Sequence, residues 1–408
     1  MANLDVRLCD EKDTAQIRNG HFLGDPVRPT ANNERQARTK KAALIGYYGA
    51  GNIGDELMLI CFTEWLARQG IEAVPLSADA EKVRQLHGRA AIQNYPILGQ
   101  FSWMEALVRG KAFGTLKAIF KSDLVIVGGG DVFRDALGWR GFSYQIEKLF
   151  VGLLCRKPVL LLNVGISRPL TWYGSQLLRW LLPRCTCIVV REQRSMDLCR
   201  ALGATKRVSL LPDIVLNLPD FFRAAKADRR AENTIIVALH GTPNVYGQYL
   251  MTDGRLRALA GVLDSIIEEH DTSIHFFPFQ SLEANGDLKI GQELQTRMRH
   301  HERTRLLDWT IDCAELARRF SRCRLVLAMR LHAAVLSVAF QRPCVVLPYD
   351  EKVAAFGRDA KIPFFLTADM LDEPAAAKAV IQNALSTATD MPRLTGDWLS
   401  FQLPQELL

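Results

Sequence analysis

Residues 42–56 read Ala42-Ala43-Leu44-Ile45-Gly46-Tyr47-Tyr48-Gly49-Ala50-Gly51-Asn52-Ile53-Gly54-Asp55-Glu56. An apolar run, a glycine-rich turn and the helical pattern Leu57 to Gln69 follow one another, which is the opening of a βα unit. The alternation recurs. Ala73 to Leu76, Leu124 to Val127, Val159 to Asn163 and Ile188 to Val190 are further strand candidates separated by helix-length segments. The polar stretch Pro219 to Asn233 breaks the rhythm, which resumes at Thr234 to Leu239, Ser273 to Phe277, Arg305 to Leu307, Leu325 to Met329 and Cys344 to Leu347. The fold class expected is α/β, with two Rossmann-like α/β domains facing a central cleft. The expected division is a flexible tail over 1–40, an N-terminal domain over 41–218, a linker over 219–233, a C-terminal domain over 234–395 and a loose tail over 396–408.

Composition agrees with that plan. A chain of 408 residues exceeds one ordinary core, and 48% apolar against 23% charged residues excludes a disordered chain. The net charge of +7 is spread over many segments, so it permits an anionic small molecule or a membrane surface as partner without requiring either. The densest basic run, Arg297 to Arg305, holds His300, His301 and Glu302 but no aromatic residue. It reads as a solvated face leading into a strand, and no nucleic acid is expected as a partner. Nine cysteines lie scattered without CxxC spacing, as reduced thiols do, and no His/Cys/carboxylate set has metal-site spacing. Asp5, Arg7, Asp10 and Glu11 stand where a signal peptide needs apolar residues, and Arg156 and Lys157 interrupt the longest apolar stretch. A soluble or peripheral cytoplasmic protein is expected.

Gly49, Gly51 and Gly54 formally make GxGxxG between a strand and a helix, with Asp79 loosely where a dinucleotide's ribose would seek an acid. A pyrophosphate rests on the helix N-terminus in such a site, and here Asp55 and Glu56 would repel it from the first turn. Two readings remain. In one, Asp55 caps the helix and the glycines only turn the chain. In the other, the backbone at Gly49, Gly51, Asn52 and Gly54 approaches a sugar while Asp55 or Glu56 acts as a base on its hydroxyl.

Gly128-Gly129-Gly130-Asp131 follows the strand candidate Leu124 to Val127, where open α/β sheets bind ligands; contact of its backbone with a ligand is expected, with a plain strand-to-helix turn as the bland alternative. Met329-Arg330-Leu331-His332 joins a strand end to a helix start, a junction that binds anions through both the helix dipole and the guanidinium fork. Arg191 holds the corresponding position in the first half, with a salt bridge as the bland alternative, and Lys352 begins a helix after Pro348-Tyr349-Asp350. Trp172, Tyr173, Leu177, Leu178, Trp180 and Leu181 form an apolar segment beside Arg179 and Arg184. Core or interface packing is its expected role, with contact at the inner membrane surface the lesser alternative.

GYYGAGNIGDE at 46–56, VGGGDVF at 127–133, VVREQRS at 189–195, LPDIVLNL at 211–218, AMRLHAAV at 328–335 and PYDEKV at 348–353 occur in this order and together resemble the polysaccharide pyruvyl transferase family. The resemblance implies a GT-B-like fold. It also implies transfer of pyruvate from phosphoenolpyruvate, as a ketal, to a sugar of a capsule, exopolysaccharide or cell-wall polymer; the partner expected is a saccharide acceptor, lipid-linked or nucleotide-linked. By the same resemblance Arg330, with Leu331, belongs to the donor site, His332 transfers a proton, and Arg191 is a second donor-binding arginine. Lys352 would add charge, and Arg191 and Arg330 would converge on the cleft from different domains. Phosphoenolpyruvate is then a co-substrate, and neither a cofactor nor a metal is implied. Asp131 departs from the family pattern, where a fourth glycine is common, as does Pro348, where a small residue is usual. Two rivals are a nucleotide-sugar glycosyltransferase of the same fold and a saccharide-binding protein without catalysis.

Overall fold

A computed structural model describes residues 38–95, 111–133, 139–166, 170–205, 207–222, 232–242, 250–281, 286–387, 394 and 397–408. The tail expected over 1–40 lies outside the described residues up to residue 37, as does the expected linker from 223 to 231. From Thr39 to Leu408 the chain forms one compact unit.

That unit holds two sheets. Strands β1 Lys40–Ile45, β2 Ile71–Ser77, β3 Ile92–Gln93, β4 Leu124–Phe133, β5 Val159–Ile166, β6 Cys187–Val190 and β7 Val208–Leu210 form the first, in the order β3-β2-β1-β4-β5-β6-β7. Strands β8 Thr234–Ala238, β9 Ser273–Phe276, β10 Thr304–Leu306, β11 Leu325–Ala328, β12 Cys344–Val346 and β13 Phe364–Phe365 form the second, in the order β10-β9-β8-β11-β12-β13. Pairing is parallel throughout both sheets. Parallel strands are covered on both faces, which is why β5 is apolar but for Asn163 and is buried at every residue.

In each sheet the strand order reverses beside the first strand, between β1 and β4 and between β8 and β11. Ligands of open α/β sheets bind at such switch points, beyond the carboxyl ends of the strands. The loop after β1, the glycines of β4, and the residues that follow β8 and β11 therefore occupy the positions where chemistry is expected. The two sheets share apolar packing: Leu57, Phe62 and Trp65 belong to the same core as Phe277, Phe279, Phe320 and Ala333.

The structure departs from the sequence reading at several points. Strands β3, β7 and β13 were not predicted; they are two or three residues long and only half-buried for the most part, so they carry little apolar signal. The glycine run is not a turn, because β4 continues through Gly128, Gly129 and Gly130 to Phe133 and keeps pairing with β5. The C-terminal segment is not loose. Trp398 is wholly buried, its ring 5.8 Å from Phe62 and 5.4 Å from Trp65, and its Nε1–H donates to the Pro212 carbonyl. The end of the chain thus returns to the first sheet's side.

Candidate active site

Helix Ile53–Arg68 starts where the sequence placed the glycine loop, but Asn52 is its cap: the Asn52 side chain accepts from Gly54 N at 3.3 Å and donates to Asp55 Oδ2 at 2.8 Å. Gly49 and Gly51 take φ of 77° and 72°, conformations that L side chains rarely adopt. The loop is docked across the cleft. Ile53 N donates to the Phe279 carbonyl, Ser281 N to the Gly51 carbonyl, and Gln280 Nε2 to the Ala50 carbonyl at 2.7 Å.

The two acids of this turn are placed differently. Glu56 is wholly buried; one oxygen accepts from Gly51 N at 3.1 Å and the other lies 2.7 Å from His87 Nε2. Both oxygens of Glu56, which the sequence offered as a base beside Asp55, are thus engaged, one by the loop and one by His87. Asp55 is only partly buried, and its Oδ1 lies beside Gly130, 3.5 Å from where a Cβ there would stand. Burial and then the neighbouring Glu56 charge raise its pKa from 3.8 to about 7, while Asn52, Lys352 and Arg191 pull the other way. Asp79, the acid a dinucleotide reading would use, caps its own helix through Lys82 N. Gly128 accepts from Tyr48 Oη through its carbonyl, and Gly129 packs where a side chain would strike Met58.

The opposite wall is the start of helix Leu331–Ala339, whose cap residue is Arg330. His332 is buried, and its imidazole lies against Gly54. Its Nε2 stands 3.7 Å from Asp213 Oδ2, too far for a hydrogen bond, and has no hydrogen-bond partner among the described residues. Burial pushes its pKa from 6.5 down to about 4; Asp213 opposes this, and the charges of Arg191 and Lys352 add to it. Arg191 donates from Nη1 to the same Asp213 oxygen at 3.2 Å. Asp213 therefore sits between an arginine from one sheet and a histidine from the other. Arg191, Asp213, Leu331 and Lys352 line a cavity of about 290 Å³.

Arg330 does not enter this group. Its guanidinium closes on the buried carboxylate of Asp287, with Nε 2.9 Å from Oδ2 and Nη2 on Oδ1, and Asp287 also accepts from Phe279 N. Arg191 and Arg330, expected to converge on the cleft, are each tied to an acid, Asp213 and Asp287. Lys352 connects the two neighbourhoods electrically, since its charge acts on His332 and on His240. His240 packs edge-on to Tyr349 at 4.3 Å, and burial followed by Arg330 and Lys352 pushes its pKa to about 3. The sequence reading missed Asp213, Asp287 and His240 as site residues. Asp213 lies within the LPDIVLNL stretch, but nothing in the local pattern around Asp287 or His240 marks them.

Among the described residues no group of His, Cys, Asp and Glu is arranged to hold a metal ion, and no helix is long and apolar enough to cross a membrane. Residues 52–351 match a family model described as polysaccharide pyruvyl transferase. The amylovoran biosynthesis protein AmsJ of Erwinia amylovora is 22% identical over 256 residues, which is 59% of this chain and 60% of that protein. Among solved structures, the UDP-GlcNAc 2-epimerase of Methanocaldococcus jannaschii is similar with a TM-score of 0.58 at 12% identity, over 88% of this chain and 98% of that one. A putative UDP-N-acetylglucosamine 2-epimerase of Listeria monocytogenes gives 0.59 at 13% identity, over 87% and 90%. At such identities the likeness concerns the fold alone, which is of the GT-B type.

Proposed function

The chain belongs to the polysaccharide pyruvyl transferase family, and on that premise we propose that it moves pyruvate from phosphoenolpyruvate onto two hydroxyls of a bacterial saccharide as a ketal. The observation that carries the reading is that Arg191, Asp213 and Lys352, contributed by both sheets, line one cavity, with His332 next to Asp213 and with Asp55 under the charges of Arg191 and Lys352. Two cations suit a donor that bears a phosphate and a carboxylate, and arginine and lysine can balance that charge directly.

The reaction needs a proton delivered to the donor's methylene carbon and one taken from the attacking hydroxyl. The sequence reading gave the acid role to His332. The surroundings favour the reverse: near neutral pH Asp55, at about 7, still carries a proton in part, whereas His332, at about 4, is a free base. In this assignment His332 takes the first hydroxyl's proton as its oxygen bonds to carbon two, and Asp55 protonates the methylene. The carbon–oxygen bond to phosphate then breaks, the second hydroxyl bonds to the same carbon, and its proton leaves with the phosphate. Arg191 and Lys352 hold the donor, and Arg330 shapes the site through Asp287.

The full-length protein should release phosphate from phosphoenolpyruvate only when a suitable saccharide is present, with a pyruvate ketal found on the saccharide by mass spectrometry. Equal release without acceptor would contradict the proposed order of steps.

A further inference from the structure

Helices Lys111–Lys121, Trp139–Leu154 and Trp172–Leu181 turn Ile119, Phe142, Leu149 and Leu178 into one core with Val125, Val159 and Leu161 of the first sheet. The outer sides of such helices are ordinarily polar. Here Phe120 is 70% exposed, Leu154 72% and Trp172 78%, and Phe113, Phe150, Tyr173 and Trp180 are also exposed. Trp172, Gln176, Arg179 and Trp180 recur at helical spacing along one exposed side, so the expected core role of this segment holds for Leu178 and Leu181, with Leu177 half-buried against the same core. Contacts link the three helices on this side: the Phe150 and Trp180 rings lie 5.8 Å apart, and Lys157, just past the end of the second helix, stands 5.7 Å over the Phe120 ring of the first. Single exposed hydrophobic residues are ordinary, whereas a joined set marks a surface that is covered in use.

The charge on this face names the cover. Lys117, Lys121, Arg156, Lys157, Arg179 and Arg184 lie on these helices or just beyond their ends, with Arg184 4.4 Å over Trp180, and none pairs with a carboxylate among the described residues. Within the three helices the sole acid is Glu147, which is buried and bound to Lys148. A second copy laid on the same face would set six cations against six. Tryptophan and tyrosine settle at the headgroup level of a bilayer, and lysine and arginine reach from there to anionic lipid. We propose that this three-helix face docks the protein laterally on an anionic membrane surface.

The test is cosedimentation of the full-length protein with phosphatidylcholine vesicles, with and without phosphatidylglycerol. Binding is expected only with phosphatidylglycerol and should weaken as salt rises. Trp172→Ser together with Trp180→Ser should lower partitioning on the order of tenfold, and Lys117→Glu with Arg184→Glu by about as much or more. All four side chains are exposed, so unchanged melting temperatures are expected and would show that the fold persists. Equal binding to uncharged vesicles would overturn the proposal, as would binding that both variant pairs leave intact. A concentration-dependent dimer abolished by the tryptophan substitutions, with no vesicle binding, would assign the face to self-association instead.

Discussion

His332 occupies the space in which a side chain on Gly54 would begin: a Cβ built there would lie 1.9 Å from the imidazole Nδ1. The first turn of a helix from one sheet and the first turn of a helix from the other therefore meet with nothing between them. Gly54 takes an ordinary helical conformation, so the need for glycine is one of close approach rather than of backbone freedom.

Gly54→Ala should consequently act as a catalytic lesion. The methyl group must displace the imidazole or open the loop contact at Phe279, and turnover should fall on the order of a hundredfold through lost positioning. Steady-state kinetics beside a melting curve would decide; a variant with normal turnover would show that His332 is placed independently of this contact.

His332→Gln removes the proposed base without breaking a hydrogen bond of Nε2, which has none among the described residues. Turnover should drop by roughly a hundredfold or more while donor affinity stays close to the parent. The histidine charges more readily unfolded, at 6.5, than folded, at about 4, so it lowers stability as pH falls between these values. In the variant, thermal denaturation should depend less on pH in that window. A fold that melts far below the parent, with normal turnover in the remaining folded fraction, would make the histidine structural.

Asp55 gives the opposite pH sign. Its folded pKa of about 7 exceeds the ordinary 3.8, so the stability linked to its protonation is full below 3.8 and is lost as pH rises through 7. Asp55→Asn should raise the melting temperature relative to the parent at pH 8, show no such gain near pH 3, and abolish most turnover. For the parent, kcat/KM for the donor should be bell-shaped, falling as Asp55 deprotonates and as His332 protonates. A profile that instead rises through pH 7 and stays high would return the acid role to another group.

Arg330→Ala should behave as a stability variant first, because it strands the buried Asp287 carboxylate; breaking such a pair costs on the order of 3 kcal/mol. Adding Asp287→Asn should recover part of the loss in melting temperature. If the single variant melts like the parent and only its phosphoenolpyruvate affinity falls, Arg330 meets the donor directly.

Trp398→Ala should cost about 3–5 kcal/mol, the range for emptying an aromatic site in a core. Truncation before Trp398 should lower the melting temperature similarly, since Phe62, Trp65 and the Pro212 carbonyl all lose their partner. Intact stability after truncation would show the segment to be dispensable.

By itself the sequence determined the α/β class, the parallel sheets and the positions of most strands, because fully buried strands must be apolar throughout and their helices must carry a different period. It also placed Arg191 and His332 at strand or helix ends, where the fold puts its chemistry. Only the tertiary structure decided what these residues meet. Asp213 lies 22 positions from Arg191 and 119 from His332, and Asp287 lies 43 from Arg330, separations across which no local pattern links an acid to its partner. Likewise Asp55 and Glu56 are adjacent and chemically alike in the sequence, yet one is partly open at about 7 and the other is sealed against Gly51 and His87. Burial and charge neighbourhood set those differences, and both arise only once the two sheets have packed together.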